Sequence, residues 1–493
     1  MPSFSGITVA LQAMLSQQQA IDVINHNVAN ANTTGYHRQE AVFSAGPTQG
    51  TPGMVNSTVI SQIGSGVVLE QIQRFNDTFT TLRYRQETAE TSRWAIESSV
   101  LSQVESAMAE TSDDGMAAKL DAFWGSWKDI STDPEDTALR SALLESGKAL
   151  ASAFNNRYAD LTQIQSDLDN TIVQSVQEIN TLETQIAQLN SQIGRYTSAS
   201  TQPNDFLDQQ DGYLDRLAEL TGAKITFEPN GQAMVSIGGH VLVQGTQTHT
   251  LVTTVNGENS NMKDVSWADG QPFNPTSGSM VGIFEVRDGV IKDEKTKLNN
   301  LAATIFTAVN NIHSQGYGLD DEAPTSGSYV GRDFFVVEGH SGSPAASMID
   351  LALTISVNPD LDNVRNIGAA QDPGVSGDGR IAEQLFLLQT ATDTPMMQVN
   401  EAYVAGPPTV GTPATALLDS VSGSSIMENI NASNNERVTA FSLILQKANT
   451  MNTQHENLLS ALVQDRESVN GVSLDEEAAN LIKYQQAYNA SIR

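Results

Sequence analysis

Residues 455–459 read His-Glu-Asn-Leu-Leu and begin like the zinc-peptidase motif H-E-x-x-H. In that motif two histidines one helical turn apart hold zinc, and the glutamate acts as general base. Here Leu459 stands where the second histidine is required, so we expect no zinc site. The seven histidines are otherwise scattered, and the absence of cysteine excludes disulfides and thiolate metal sites.

Two further segments approach the nucleophile elbow G-x-S-x-G of hydrolases. Residues 339–343 read GHSGS and residues 374–378 read GVSGD, and each lacks the final glycine. The acidic residues 320–322 could contact a cation, but they lack the alternating oxygen ligands of a calcium loop. We therefore interpret the first two segments as loops and the third as a solvated turn.

Trp124 and Trp127, together with Phe123, could form an aromatic platform for carbohydrate. They fall in a segment with helical periodicity, where burial of aromatic surface in a core is the commoner arrangement. The sequence thus offers no catalytic, cofactor-binding or metal-binding residue, and it predicts a protein that is not an enzyme and needs no cofactor.

Composition narrows the possible partners. The chain has 493 residues, with 26 Lys and Arg against 57 Asp and Glu, which gives a formal net charge of −31. Such a surface repels a phosphate backbone, so nucleic acid is not an expected partner. No apolar run reaches 18 residues, and the N-terminus lacks the basic and apolar regions of a cleaved secretory signal. We expect no membrane insertion and, if the protein is exported, a different export signal.

Apolar residues recur at heptad spacing near both ends of the chain, which predicts two amphipathic helices. A narrow apolar stripe is marginal on an isolated helix, so these helices are expected to pack together or against neighbouring subunits. The first 36 residues carry one formal charge, at Asp22, among many uncharged amides that can hydrogen-bond across a packed helical interface. This pattern indicates a subunit of a polymer. The alternative for this segment is a poorly stable, partly disordered tail. The predicted assembly seam consists of Ile7, Leu11, Met14, Ile21, Val28, Leu474, Ala478, Leu481 and Tyr488.

The predicted fold class is mainly α with inserted β domains, in which the N- and C-terminal segments build a discontinuous helical rod. The helical period changes to strand alternation after Gly222 and returns near Val290. The expected domains are residues 1–70, an N-terminal coiled-coil helix and extended connector; 71–220, a helical rod; 221–280, an inserted β domain; 281–312, a helix returning to the rod; 313–425, a second inserted β or mixed domain; and 426–493, C-terminal helices pairing with the N-terminal region.

Local signals refine this outline. Helix is expected to resume near Gln71, and Ser473 with Glu476 predicts a capping box at the start of the terminal helix. The clearest coiled-coil pattern has a four-three rhythm over more than three heptads. Its positions are Leu168, Ile172, Ser175, Ile179, Leu182, Ile186, Leu189 and Ile193.

A segment close to the N-terminus resembles the signature of bacterial flagellar axial proteins, which ends in N-T-x-G-[YF]. The residues that carry this resemblance are Asn27, Asn30, Asn32, Thr33, Gly35, Tyr36, Arg38 and Gln39. Within that family, Tyr-x-Arg-Gln resembles the first of the two hook–filament junction proteins, whereas rod and hook proteins usually continue with phenylalanine and lysine.

Three more segments are similar to the same family. Residues 204–211 resemble its L-D-Q-R-D block with Gln210 in place of the usual arginine, and residues 282–288 resemble its second frame-return element. Residues 480–488 resemble its C-terminal helix. Family members usually extend for several turns beyond that element, whereas the present sequence ends at Arg493.

The resemblance implies structural work outside the cell. It implies a homo-oligomeric ring at the hook–filament junction, with the hook protein and the second hook-associated junction protein as neighbours. It also implies export by the flagellar type III system and a cytoplasmic export chaperone that holds the C-terminal helix around residues 474–488. The alternative is a surface-exposed adhesin or recognition protein that binds through its β domains.

Overall fold

Helices make up most of the described chain, and the small β-sheets lie between them in sequence, so the predicted fold class is confirmed. The computed structural model describes residues 3–46, 49–50, 62–63, 66–108, 115–199, 202–257, 259, 261–322, 331–337, 350–390 and 430–492. The GHSGS segment at residues 339–343 and much of the predicted second inserted domain lie outside these residues.

The first part of the chain alternates helices with short strands. The elements are α1 (Ser3–Ala29), β1 (Gln39–Ala45), β2 (Gln49–Gly50), β3 (Gln62–Ile63), β4 (Val67–Arg74), α2 (Thr78–Met108), α3 (Met116–Thr132), α4 (Thr137–Ser198) and α5 (Asn204–Thr221). Strands β5 (Lys224–Phe227), β6 (Ala233–Ile237), β7 (His240–Gln244), β8 (Gln247–Thr248), β9 (Leu251–Val255) and β10 (Lys263–Trp267) follow.

The remaining elements return to helix. They are α6 (Ser279–Phe284), a π-helical turn (Glu285–Val290), α7 (Ile291–His313), β11 (Phe335–Val337), α8 (Leu351–Thr354), β12 (Ile355–Val357), two 3₁₀ turns (Pro359–Asp362 and Val364–Asn366), α9 (Arg380–Leu387), α10 (Ile430–Asn470) and α11 (Leu474–Ile492).

The chain divides into two compact units, each built from separate stretches of sequence. The first unit contains residues 1–96, 171–283 and 450–493. In it, α1 packs against α11 and against the antiparallel hairpin β1–β4. It also contains the sheet of order β5-β6-β7-β8 and the hairpin β9–β10, all of whose pairings are antiparallel.

The second unit contains residues 97–170 and 284–449. Its core includes an aromatic cluster in which Trp124 and Trp127 are fully buried, together with Phe123, Phe334 and Phe335. The two tryptophans therefore belong to the core and offer no carbohydrate platform.

The coiled-coil pattern of α4 agrees with the structure at every position. All eight residues of the predicted stripe, from Leu168 to Ile193, are buried on one face of a 62-residue helix. A repeat of 3.5 residues places them along a single stripe of the helix, and other elements of the fold cover that stripe.

One local expectation was wrong, and another was confirmed only in part. The helix expected near Gln71 begins at Thr78, because residues 67–74 form β4 and pair with β1. At α11, Ser473 Oγ accepts from the Glu476 N–H at 3.5 Å, as a cap should. The Glu476 carboxylate, however, does not close the box and accepts a hydrogen bond from Arg38.

Candidate assembly site at the terminal helices

The N-terminal helix is held on the β1–β4 hairpin by polar contacts to the hairpin backbone. Ser16 Oγ donates to the Val67 carbonyl at 3.2 Å. The Asn27 amide makes two bonds to Gln39, because Nδ2 donates to the Gln39 carbonyl at 2.8 Å and Oδ1 accepts from the Gln39 N–H at 3.0 Å. The Asn27 side chain thus pairs with the backbone of the first residue of β1 and fixes α1 to the start of that strand.

The residues between α1 and β1 close the helix and turn the chain. Asn30 Nδ2 donates to the His26 carbonyl, and Thr33 Oγ1 donates to Asn30 Oδ1. Gly35 has a φ of +79°, a conformation that glycine adopts without strain. Asn32 is exposed and makes no hydrogen bond within the described chain.

Tyr36 returns the chain to the helix, since its hydroxyl donates to Asn27 Oδ1 at 2.8 Å. The same hydroxyl lies 3.0 Å from His26 Nδ1. Burial, and then the negative charges of Asp208, Asp205 and Glu477, raise the pKa of Tyr36, so the phenol stays protonated and can donate.

Arg38 connects this turn to the other end of the chain. Its Nε donates to Glu477 Oε1 at 2.8 Å and its Nη1 donates to Glu476 Oε2 at 2.9 Å. Its backbone N–H donates to the Asn470 carbonyl at 2.9 Å, at the last residue of α10. One residue of the N-terminal signature therefore contacts both C-terminal helices.

Three aspartates lie along one face of α5 at spacings of three and four residues: Asp208, Asp211 and Asp215. Arginines from three other segments bind them. Arg74 Nη1 lies 2.7 Å from both Asp208 and Asp211, Arg85 bridges Asp211 and Asp215 at 2.7 and 2.6 Å, and Arg466 lies 2.8 Å from Asp215. We call these six residues the α5 ion-pair ladder.

The α5 ion-pair ladder is largely buried, and its arginines determine the direction in which the pKa of its central carboxylate, Asp211, is shifted. Burial alone raises the pKa of Asp211, but the guanidinium groups of Arg74 and Arg85 outweigh it and hold that pKa below its ordinary value. His37 Nδ1 joins the ladder at 2.8 Å from Asp208. The α5 ion-pair ladder therefore ties β4, α2, α5 and α10 together by charge.

The nine residues of the predicted assembly seam are exposed or half-buried in this structure. On α1 the buried face holds Ser16, Ala20, Val23, Ile24 and Asn27. The predicted seam positions Ile7, Leu11 and Val28 are 63%, 50% and 44% exposed, whereas Met14 and Ile21 are half-buried.

On α11 the predicted seam divides between the two environments. Leu474 and Ala478 are exposed, and Leu481 and Tyr488 are half-buried. The buried position on this helix is Glu477, which the seam pattern did not include. A ring contact that the sequence analysis also missed places Tyr484 6.0 Å from Phe43, measured between ring centroids.

The histidine of the zinc-like motif and two residues of the acidic turn have structural partners. His455 Nδ1 lies 2.6 Å from Glu87 Oε1, and Asp320 and Asp321 pair with Arg365 and Arg332. Asp320 and Asp321 thus have arginine partners, and Asp320 and Glu322 are exposed, in agreement with the expected solvated turn. Within the described ranges there is no group of three or more His, Asp or Glu side chains placed to hold a metal ion.

Comparison with known proteins gives the family. Residues 101–335 match the model of the helical domain of flagellar hook-associated protein FlgK, and residues 7–37 match that of the flagella basal body rod protein. Flagellar hook-associated protein 1 of Bacillus subtilis is 27% identical over 100% of this chain and 95% of its own length. The Salmonella typhimurium protein of the same name is 26% identical over 98% of this chain and 96% of its own.

The chain belongs to the flagellar hook-associated protein 1 family. Members of this family are structural proteins of the flagellum. A solved structure, that of the flagellar hook junction protein FlgK from Burkholderia pseudomallei, is 22% identical and has a TM-score of 0.46, over 52% of this chain and 46% of that one. None of the described helices combines the length and apolar character that crossing a bilayer requires.

The structure also accounts for the family's Asp-rich block. Asp208 and Asp211, the two aspartates of the stretch that resembles L-D-Q-R-D, belong to the α5 ion-pair ladder. Gln210, which replaces the usual arginine, is buried and donates to Asn190 Oδ1 at 2.8 Å. Asn190 in turn accepts from the Ala233 N–H and donates to the Gly245 carbonyl, so this glutamine positions the residue that binds α4 to the sheet.

Proposed function

We propose that the chain is a non-enzymatic structural subunit that assembles as a ring at the hook–filament junction and connects the hook to the filament. The observation that carries this proposal is the exposed apolar face of the terminal helices. On α1, Ile7, Leu11 and Leu15 are at least half exposed, although other apolar residues of the same helix are buried.

The C-terminal helix has a comparable surface, with Leu474, Ile482 and Ile492 between 55% and 58% exposed. A folded unit that has already covered one face of each helix gains nothing by keeping a second apolar face in water. Burial against neighbouring copies would remove that surface from solvent, at roughly 25 cal/mol for each Å² of apolar area. The terminal helices are therefore the proposed seam between subunits.

The partners follow from the position in the flagellum that the family name indicates. The hook protein and the second hook-associated junction protein are the proposed neighbours of the ring, and the location is the extracellular flagellum. The proposed export route is the flagellar type III system, with a chaperone that covers the apolar face of α11 before assembly.

The test is electron microscopy of cells that lack this gene, combined with an assay for flagellin monomer in the medium. The proposal predicts bare hooks and shed flagellin, and recovery of filaments when the wild-type gene is restored. Normal filaments in the deletion strain would overturn the junction role and favour the adhesin alternative.

A further inference from the structure

A second exposed surface lies at the start of α2, in the same compact unit as α1. Phe79 is 68% exposed and Leu82 is 37% exposed. Arg83 is exposed beside them, with its guanidinium carbon 5.7 Å from the centroid of the Phe79 ring. Spacings of three and four residues place all three on one face of the helix. We call these residues the α2 patch.

The α2 patch carries a positive charge without an ion-pair partner among the described residues, on a chain that is strongly acidic. Arg74 and Arg85, its neighbours in sequence, are each bound to two aspartates, whereas Arg83 makes no ion pair with any described residue. Two copies with a net charge of −31 repel each other over most of their surfaces. An unpaired cation among exposed apolar side chains is a point at which that repulsion is locally reversed.

The exposed face of α1 has the complementary composition. Leu11 and Leu15 are 50% and 54% exposed, and Asp22 is exposed on the same face two turns beyond Leu15. Asp22 is the single formal charge in the first 36 residues, and within the described chain it has no ion-pair partner. We call Leu11, Leu15 and Asp22 the α1 stripe.

Subunits of a ring meet through heterologous contacts, in which one surface of a subunit binds a different surface of the next. We propose that the α2 patch of one copy docks on the α1 stripe of the neighbouring copy, with Arg83 paired to Asp22. This inference rests on the proposed ring assembly and names the two surfaces that meet in it. Two apolar residues and one charge of opposite sign on each side give both attraction and register.

Charge reversal tests the pairing in the deletion strain. Arg83→Glu and Asp22→Arg alone should each reduce filament number at least tenfold, and the double variant should return it to within twofold of wild type. Arg195→Glu is the matched control, because Arg195 is also exposed in the first unit without a carboxylate partner among the described residues. It should leave filament number unchanged.

A chemical cross-link gives an independent readout, because the chain has no cysteine of its own. The variant that combines Arg83→Cys with Asp22→Cys should give disulfide-linked multimers in hook–filament preparations run on non-reducing gels. The pair Arg195→Cys with Asp22→Cys should stay monomeric.

The outcomes separate this inference from the proposed function. Single reversals that assemble like wild type, or a double variant that stays defective and does not cross-link, would overturn the docking while the junction role stands. Normal filaments in the deletion strain would instead overturn the junction role itself.

Discussion

Arg38 and Glu477 join the two ends of the chain, with Nε 2.8 Å from Oε1 across a sequence separation of 439 residues. The Glu477 side chain is 2% exposed, so Arg38 is the counter-ion of a buried carboxylate. The neighbouring contact, Arg38 to Glu476, is made by a carboxylate that is 62% exposed. One arginine thus makes a buried and an exposed ion pair on the same helix.

Arg38→Ala should destabilise the protein by about 3–5 kcal/mol, because it leaves the Glu477 carboxylate buried without a counter-ion. Urea unfolding of the full chain measures this cost. Glu476→Gln is the matched control and should cost less than about 1 kcal/mol, since the pair it removes is exposed. Equal costs for the two variants would contradict the assignment of Glu477 as the main partner.

Asn27→Ala should cost about 2–3 kcal/mol, because it removes both partners of the Gln39 backbone and one of the two hydrogen-bond partners of the Tyr36 hydroxyl. Asn32→Ala, at an exposed position of the same signature, should change the free energy of unfolding by less than about 0.5 kcal/mol. Thermal unfolding followed by circular dichroism distinguishes the two. A larger loss for Asn32→Ala would show that the role assigned to Asn27 is mistaken.

The α5 ion-pair ladder should make stability fall in acid. The pKa of Asp211 is lowered in the fold, so the stabilisation is complete above the unfolded pKa near 3.8 and is lost as pH falls through the folded pKa. The urea midpoint of wild type should therefore drop below about pH 4, and Asp211→Asn should lose part of that dependence. Asp22→Asn, at an exposed carboxylate, should keep it; an unchanged pH profile for Asp211→Asn would contradict the ladder.

Glu183 should make the stability of the fold decrease as the pH rises. Burial raises its pKa to about 7, against a small opposing effect of the hydrogen bond from Thr250. Because the pKa of Glu183 is raised in the folded state, its contribution to folding stability is fully present below about pH 4.5, where the carboxyl is neutral in both states. That contribution is lost as the pH rises through about 7 and a charge must be buried. Glu183→Gln should be more stable than wild type at pH 8 by on the order of 1–3 kcal/mol. No gain at pH 8 would mean that the carboxylate is not strained by burial.

The regular helices were predictable because one repeating signal covers many residues. The stripe from Leu168 to Ile193 shows this, since each of its positions needs only to be apolar or small. The start of α11 was likewise given by a single cap residue, Ser473. β4 was missed because Val67, Leu69 and Ile72 fit a short helix as well as a strand, and the β1 partner that decides between them is distant in sequence.

The contacts of α1 were harder to predict because the helix is apolar on more than one face. Ala20, Val23 and Ile24 are buried, whereas Leu11 and Leu15, on the far side, are exposed. Small residues such as Ser16 and Ala20 permit close packing but give a weaker sequence signal than leucine does. The α5 ion-pair ladder was not predictable, because its arginines come from three separate segments and no local spacing relates them to the aspartates.

The most direct test of the assembly account is the double variant Leu11→Ser with Leu15→Ser, measured both as a purified monomer and in the deletion strain. Both side chains are at least half exposed in the monomer, so its free energy of unfolding should change by less than about 0.5 kcal/mol for each substitution. Filaments on the complemented cells should nevertheless be lost and flagellin should appear in the medium. Normal filaments from this variant would contradict the claim that the exposed face of α1 is the surface through which the subunits assemble.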